Sequence, residues 1–504
     1  MSKKKGILVI FLFFCFSYLL VLQVYAIWPF TIDDMYISLR YAKHWSLGHG
    51  LSWNPAEEPV EGYSSFSFVA LAALAMKLNI EPVNLLKSLG VVGLVFSTIS
   101  LYFLSRLWFS AWIGFIPSIW LLLYRGEIIW SVSGLETTVY QALLCASLFF
   151  LFRGMGYRFF PEGRKKANWF YLVIAGFLLA VAGLTRPEAP VLMLIFYGLA
   201  IIDKPKTMQR HYFAGLLLSC LTVALLFLPY FVWRWDYYGR LFPNAVYCKG
   251  FRDFSLELDL AYLNLIWPFV LFALPAIFKA KDKRHYFLWL PSLAYLLLLI
   301  GADPIVAFSN RLFLPVFILL LPLTLQGIIH IVDYCLPREK TALSTVYLVV
   351  SVLLFAFFFI PKMTLANYRY FSANPQAGLA LRQQVVDWLE THIKPGSRVV
   401  LADSGMIPYL SSLNFVDSYC LSNKKMSSVP NQNMYSWLCH DVLKTKPEVI
   451  ILTSLVENGR VRYTPTDFCL AQVLKNNQLY DFKTIYKTGD QKSSYRYEIY
   501  TLSN

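Results

Sequence analysis

The chain has 504 residues, 57% of them hydrophobic and 15% charged. A soluble domain is about half apolar and about a quarter charged, so an ordinary soluble globule is excluded. The net charge of +15 does not point to nucleic acid, because the lysines and arginines cluster in short loops between apolar blocks and form no basic patch interleaved with aromatics.

In chain order, Lys3, Lys4 and Lys5 precede an apolar run from Gly6 to about Phe30. That run exceeds a signal-peptide core of about 7–15 residues and reads as an uncleaved first helix. Residues 31–63 follow as a polar, ordered loop in which Asp33, Asp34, Glu57, Glu58 and Glu61 face only Arg40 and Lys43. Asp33 and Asp34 open the pattern "DDMYISLRYAKHW". Thr31 or Asp33 can cap that helix, and acids suit its positive end. Ionisable groups at the lipid boundary are functional candidates all the same. Adjacent helical residues point about 100° apart, so one acid can face a cleft while the other caps. His44 and His49 read as packing residues, with no second ligand at zinc spacing.

Spans are expected near 7–28, 85–105, 111–129, 137–152, 169–185, 189–202, 212–232, 258–279, 286–301, 311–330 and 341–361. The segment "SSFSFVALAALAMKL" (64–78) is short and reads as re-entrant or interfacial. With the N-terminus inside, every basic loop falls on the cytoplasmic side, as the positive-inside pattern requires. The polar segments 31–63, 130–136, 233–257 and 302–310 then share the outer face.

Several of these outer segments carry candidate chemistry. In "WSVSGLETT", Ser133 and Glu136 have capping-box spacing. In "GLTRPEAP", Arg186 sits beside Glu188, either as a local ion pair or as a phosphate contact. "RWDYYGRLFPNAVYCKG" offers Arg234, Arg240 and Lys249 to an anion. "GADPIVAFSNRLFLP" adds Asp303 and Arg311, an arginine that is costly inside a span unless paired or bound to an anion.

After Pro361 the composition changes. A helical period over 379–393, strands in "SRVVLAD" and "PEVIILTS", a helix in "MYSWLCHDVLK" and an alternating strand in "SSYRYEIYTL" argue a small α/β domain. The division is 1–361, a transmembrane core with external loop 31–84, and 362–504, an extracytoplasmic domain. Asp403, Ser404 and Asp417 follow strands, where ligands often sit, although turn and cap chemistry accounts for each. Cys15, Cys145 and Cys220 read as small apolar residues in spans. Cys420, Cys439 and Cys469 are an odd set without motif spacing and leave one disulfide open.

The motifs "IDDMYISLRYAKHWSLGHGLSWNPAEEPVEGYSSF", "SGLET", "LTRPE", "YYGRLFPNAVYCK", "NRLFLP" and "ADSGMIPYLSSLNFVDSYCLS" occur in that order. Together they resemble the bacterial GT-C membrane glycosyltransferases, most of all the group containing the mycobacterial terminal β-1,2-arabinofuranosyltransferase. The resemblance implies a polytopic α-helical membrane protein of about 11–12 spans with a C-terminal extracytoplasmic α/β domain. It implies a bacterial cytoplasmic membrane location and an outward-facing site. It implies transfer of a sugar from a polyprenyl-phosphate donor to an envelope glycan or glycolipid. Asp33 or Asp34 would be the base. Lys249, Arg240, Arg311 and Arg186 would hold the donor phosphate, and Tyr63, Glu61, Glu136, Tyr238, Asn244 and Asp303 would line the substrates. No metal or cofactor is required, although the paired acids could contact a divalent cation. The competing classes are a lipid or glycan transporter, which calls for internal repeats or polar residues deep in several spans, and a non-catalytic envelope assembly protein.

Overall fold

A computed structural model describes residues 17–503, apart from 56, 206–208, 251–253, 280–281, 303–309, 336–340, 357–359, 361–367, 370–371, 431–432, 458, 476–477 and 489–492. Asp303, the three N-terminal lysines and the first part of the expected 7–28 span lie outside the described residues. The chain divides into two compact units: Met1–Phe30, Lys87–Phe231 and Phe254–Ala373 form one, and Thr31–Leu86, Val232–Asp253 and Asn374–Asn504 form the other.

The helices of the expected spans, in order, are α1 (Ser17–Ile27), α4 (Pro82–Ser105), α5 (Ile116–Leu123), α6 (Arg125–Val132), α7 (Thr137–Gly154), α8 (Trp169–Thr185), α9 (Ala189–Ile202), α10 (Gln209–Tyr238), α12 (Glu257–Phe278), α13 (Tyr286–Leu299), α14 (Leu314–Cys335) and α15 (Thr341–Leu354). Among the described residues five helices are long and apolar enough to cross a membrane, or six if α5 and α6 form one span. The expected span 111–129 is not straight. Its helices bend by 63° at Tyr124, whose extended backbone interrupts the helical hydrogen-bond ladder. In the first unit, α14 is buried on almost every side from Leu314 to Leu325 and packs against α7, α12 and α13. A helix apolar all round is a core helix or a span. The α10 residues Leu217, Leu221, Leu225 and Leu228 are exposed, and lipid is the solvent that suits such a surface.

The second unit contains α2 (Asp33–Ser46), α3 (Phe66–Lys77), α11 (Asn244–Lys249), α16 (Ala377–His392), α17 (Met406–Leu410), α18 (Met434–Thr445) and α19 (Pro465–Leu474). Its sheet comprises β1 (Arg398–Leu401), β2 (Asn414–Asp417), β3 (Val449–Glu457), β4 (Arg460–Tyr463), β5 (Tyr480–Lys487) and β6 (Ser493–Leu502). The strand order is β2-β1-β3-β6-β5, with β4 also pairing β3. Strands β1, β2 and β3 run parallel, with Val400 opposite Val416 and Ile450, while β6 is antiparallel to β3 and β5. The helix α3 has 12 residues, too few for the roughly 20 that cross a bilayer.

The first polar loop belongs to this unit. Asn54 accepts from the Phe415 N–H at 3.1 Å and donates to its carbonyl at 3.0 Å, which satisfies part of the β2 edge. The Trp53 indole N–H donates to the same carbonyl at 3.0 Å. Buried Arg40 donates to the carbonyls of Trp53, Pro408 and Leu413 and to the Asn54 side chain.

Candidate active site

Asp33 and Asp34 occupy the first turn of α2, but neither caps it. The N-cap is Ile32 in an extended conformation with no side-chain cap bond, so Thr31 and Asp33 do not play the expected capping part. The Asp33 carboxylate turns instead to α16 and to the turn after β1. Its Oδ1 lies 2.9 Å from Arg382 Nε and accepts the Met406 N–H at 2.9 Å. Among the described residues nothing hydrogen-bonds its Oδ2, and the side chain keeps 14% exposure. Burial raises the Asp33 carboxyl to about 6, with Asp403 and Asp34 adding to the rise and Arg382 and the Met406 N–H opposing it.

Arg382 also reaches Asp403, with Nη2 3.1 Å from Oδ2. Tyr495 donates to Asp403 Oδ1 at 2.8 Å and Tyr497 donates to Oδ2. The tyrosines are two residues apart on β6 and so share a face. Asp403 was legible as a residue following a strand, whereas Arg382 was not singled out. A signal for it existed: Arg382 stands beside Leu381 and one helical turn before Val385 and Val386, on the stripe that α16 buries. A cation on an apolar stripe calls for a buried partner.

The expected substrate residues of the second unit form a network of their own. Arg234 Nε donates to both Glu61 oxygens at 2.9 Å, and its Nη1 donates to the Leu241 carbonyl at 2.8 Å. Burial raises Glu61 to about 7 against the pull of Arg234. The Asn244 amide donates to the Cys420 and Leu421 carbonyls at 2.9 and 3.0 Å. Tyr63 and Tyr238 share a hydroxyl hydrogen bond of 3.0 Å. Arg240 donates to Asn244 Oδ1 at 2.9 Å, to Ser427 Oγ at 2.6 Å and to Ser428. The Lys249 ammonium lies 4.2 Å from the centre of the Tyr419 ring, within cation–π range.

In the first unit, Arg186 bridges two acids, with contacts of 2.7 Å to Glu136 and 2.6 Å to Glu188. The capping box expected from Ser133 and Glu136 does not form, because Glu136 itself occupies the N-cap position of α7 without a side-chain cap bond and its carboxylate goes to Arg186. The Arg311 guanidinium lies 5.6 Å from the centre of the Trp130 ring.

His44 Nδ1 lies 2.9 Å from the Ser52 carbonyl, and burial lowers its pKa to about 4, so it is neutral at physiological pH. Among the described residues no three His, Cys, Asp or Glu side chains gather as a metal site.

A family model described as "Domain of unknown function (DUF8728)" matches residues 367–500. No curated protein matches the sequence. Solved structures do resemble the fold. ArnT from Cupriavidus metallidurans bound to undecaprenyl phosphate superimposes with a TM-score of 0.58 at 11% identity, covering 99% of this chain and 98% of that one. The archaeal oligosaccharyltransferase AglB from Archaeoglobus fulgidus, in complex with an inhibitory peptide and a dolichol-phosphate, gives 0.53 at 11% identity over 91% of this chain and 75% of that one. An Archaeoglobus fulgidus oligosaccharyltransferase tethered with an acceptor peptide gives 0.54 at 11% identity over 90% of this chain and 74% of that one. The chain therefore has a GT-C-like fold, with several apolar helices and a small C-terminal sheet domain.

Proposed function

We propose that the protein is an inverting glycosyltransferase that moves a sugar from a polyprenyl-phosphate donor to an envelope glycan or glycolipid at the outer face of the cytoplasmic membrane. The observation that carries this reading is the Asp33 carboxylate, in a chain whose fold follows ArnT over 99% of its length. One Asp33 oxygen is fixed by a guanidinium and a backbone N–H, the other is unbonded among the described residues, and the group titrates at about 6. A carboxylate of that basicity, ionised at neutral pH, suits general-base catalysis.

In the reaction, an acceptor hydroxyl oxygen bonds to the anomeric carbon as the bond from that carbon to the donor phosphate oxygen breaks. Asp33 Oδ2 takes the hydroxyl proton. Polyprenyl phosphate leaves with the bonding electron pair, and the anomeric centre inverts. Direct displacement needs one acid on the acceptor side, unlike the acid–nucleophile pair of a retaining hydrolase. Asp34 then positions the acceptor. Lys249 of the same unit stabilises the departing phosphate. Arg240 holds the wall beside it, because Ser427, Ser428 and Asn244 occupy its guanidinium. The order of the sequence motifs supports the arabinofuranosyltransferase group within the fold.

The test is sugar transfer by purified protein offered a panel of polyprenyl-phosphate sugars with envelope glycan acceptors. Asp33→Asn should lose about 10²-fold or more of the rate. In the wild-type protein the rate should fall about tenfold per pH unit below about 6, because the base works deprotonated. Full activity in both Asp33→Asn and Asp34→Asn would sink the proposed base. No transfer from any donor would favour a transporter or an assembly protein.

A further inference from the structure

We infer that Arg382 is a positioning residue for the reaction: anchored by Asp403, Tyr495 and Tyr497, it pins one oxygen of Asp33 and turns the other toward the acceptor. This rests on Asp33 being the base.

The geometry separates this role from that of an ordinary docking ion pair. Arg382 meets two carboxylates through two nitrogens of one guanidinium, with Nε 2.9 Å from Asp33 and Nη2 3.1 Å from Asp403. A planar fork does this, and the point charge of lysine does not. The far acid is itself immobilised by two phenol hydroxyls from β6, and the guanidinium lies 5.9 Å from the centre of the Tyr495 ring. A continuous line of polar contacts therefore runs from strand β6 through Asp403 and Arg382 to Asp33.

The charge inventory is equally specific. The groups acting on Asp33 are Asp34 on its own helix, Arg382 on α16, and Asp403 with the phenols Tyr495 and Tyr497 around the sheet; Tyr36 also lies near. Two carboxylates share one guanidinium, and Asp34 adds a third acid. A 1:1 bridge would hold Asp33 as a weak base. Burial is the main cause of its upward shift, and the second acid on the shared guanidinium adds to it. Buried ion pairs are weak sources of net stability, so positioning is the better account of so constrained a cluster.

The experiment compares pH–rate profiles of kcat/KM for full-length protein carrying Arg382→Gln, Arg382→Lys or Asp403→Asn, with Asp33→Asn as control. Arg382→Gln removes the cation, so the acidic limb should move up by about one unit. It should also lower kcat about tenfold or more with little change in KM, as misplacement of a reacting group does. Asp403→Asn, of the same shape, removes an acid, so its limb should move down. Arg382→Lys should recover part of the limb shift and less of kcat. Structural damage alone does not shift a limb in opposite directions. Limbs that stay put, or a lysine variant with wild-type kcat, overturn the inference while an inactive Asp33→Asn leaves the base reading standing. An active Asp33→Asn overturns both. If Arg382→Gln fails to yield monodisperse protein, Arg382→Lys and Asp403→Asn decide on the same criteria.

Discussion

Gly405 has no room for a side chain. A Cβ built there would land on the Asp33 main-chain oxygen and its carboxylate. Gly405→Ala should push the Asp33 carboxylate off Arg382 and the Met406 N–H. The expected outcome is a loss of kcat of about tenfold or more with a modest drop in Tm. Wild-type kcat in that variant would mean that the carboxylate need not sit where it does. Glu61 and Arg234 make the opposite case. Their side chains are 3% and 5% exposed, and removing one partner leaves a buried charge without compensation. Arg234→Met should cost about 3–5 kcal/mol of stability, read as a lower Tm in detergent, and adding Glu61→Gln should restore part of it. A single variant as stable as wild type would show that Glu61 is protonated or solvated in the folded state.

Among the elements, α11 shows how far a short segment depends on covalent and hydrogen-bonded ties. It has six residues, too few to be stable alone. Cys248 near its end is joined to Cys420, 172 residues away, and Asn244 at its start donates to the carbonyls of Cys420 and Leu421. A second disulfide, Cys439–Cys469, joins α18 to α19. The sequence left one bridge open among Cys420, Cys439 and Cys469. Cys248 was not set beside them because its partner is distant in the chain, and pairing is decided by Cα separation and side-chain direction in the fold. Cys248→Ser with Cys420→Ser should lower stability by about 2–5 kcal/mol and loosen the Lys249 and Asn244 region, seen as faster proteolysis near residue 250. Unchanged Tm and cleavage would show that hydrogen bonds alone hold α11. The α16 helix and the strands β1, β3 and β6 were legible because their apolar periods are strong. The edge strand β2 was not, since its four residues alternate in burial and its edge is satisfied by Asn54, more than 350 positions earlier in the chain.

At the scale of the molecule, the apolar blocks revealed the helices, and the break at Tyr124 escaped because hydropathy does not record a single extended residue. The two acids of α2 stood out in the sequence as candidates, while Arg382, Asp403 and the β6 tyrosines near Asp33 were not legible as one cluster. Contacts between residues almost 350 positions apart are fixed by tertiary structure, and only the cation on the α16 stripe hinted at them. Orientation in the membrane joins both kinds of information. The proposed outer location of the second unit fits its two bridges, because disulfides persist in oxidising compartments, and it is open to a direct test. Two labels test this with little change to the protein. Cys335 is a free, exposed thiol at the end of α14, shortly before Arg338 and Lys340 in the sequence, which the positive-inside pattern expects on the cytoplasmic side. Lys483→Cys would add a thiol on an exposed position of β5. A membrane-impermeant maleimide should label the added Cys at 483 in intact spheroplasts and leave Cys335 unmodified, while inverted vesicles should reverse the pattern. Labelling of Cys335 from outside, with position 483 protected, would turn the molecule over and put Asp33 on the face where no polyprenyl-phosphate donor is proposed to meet it.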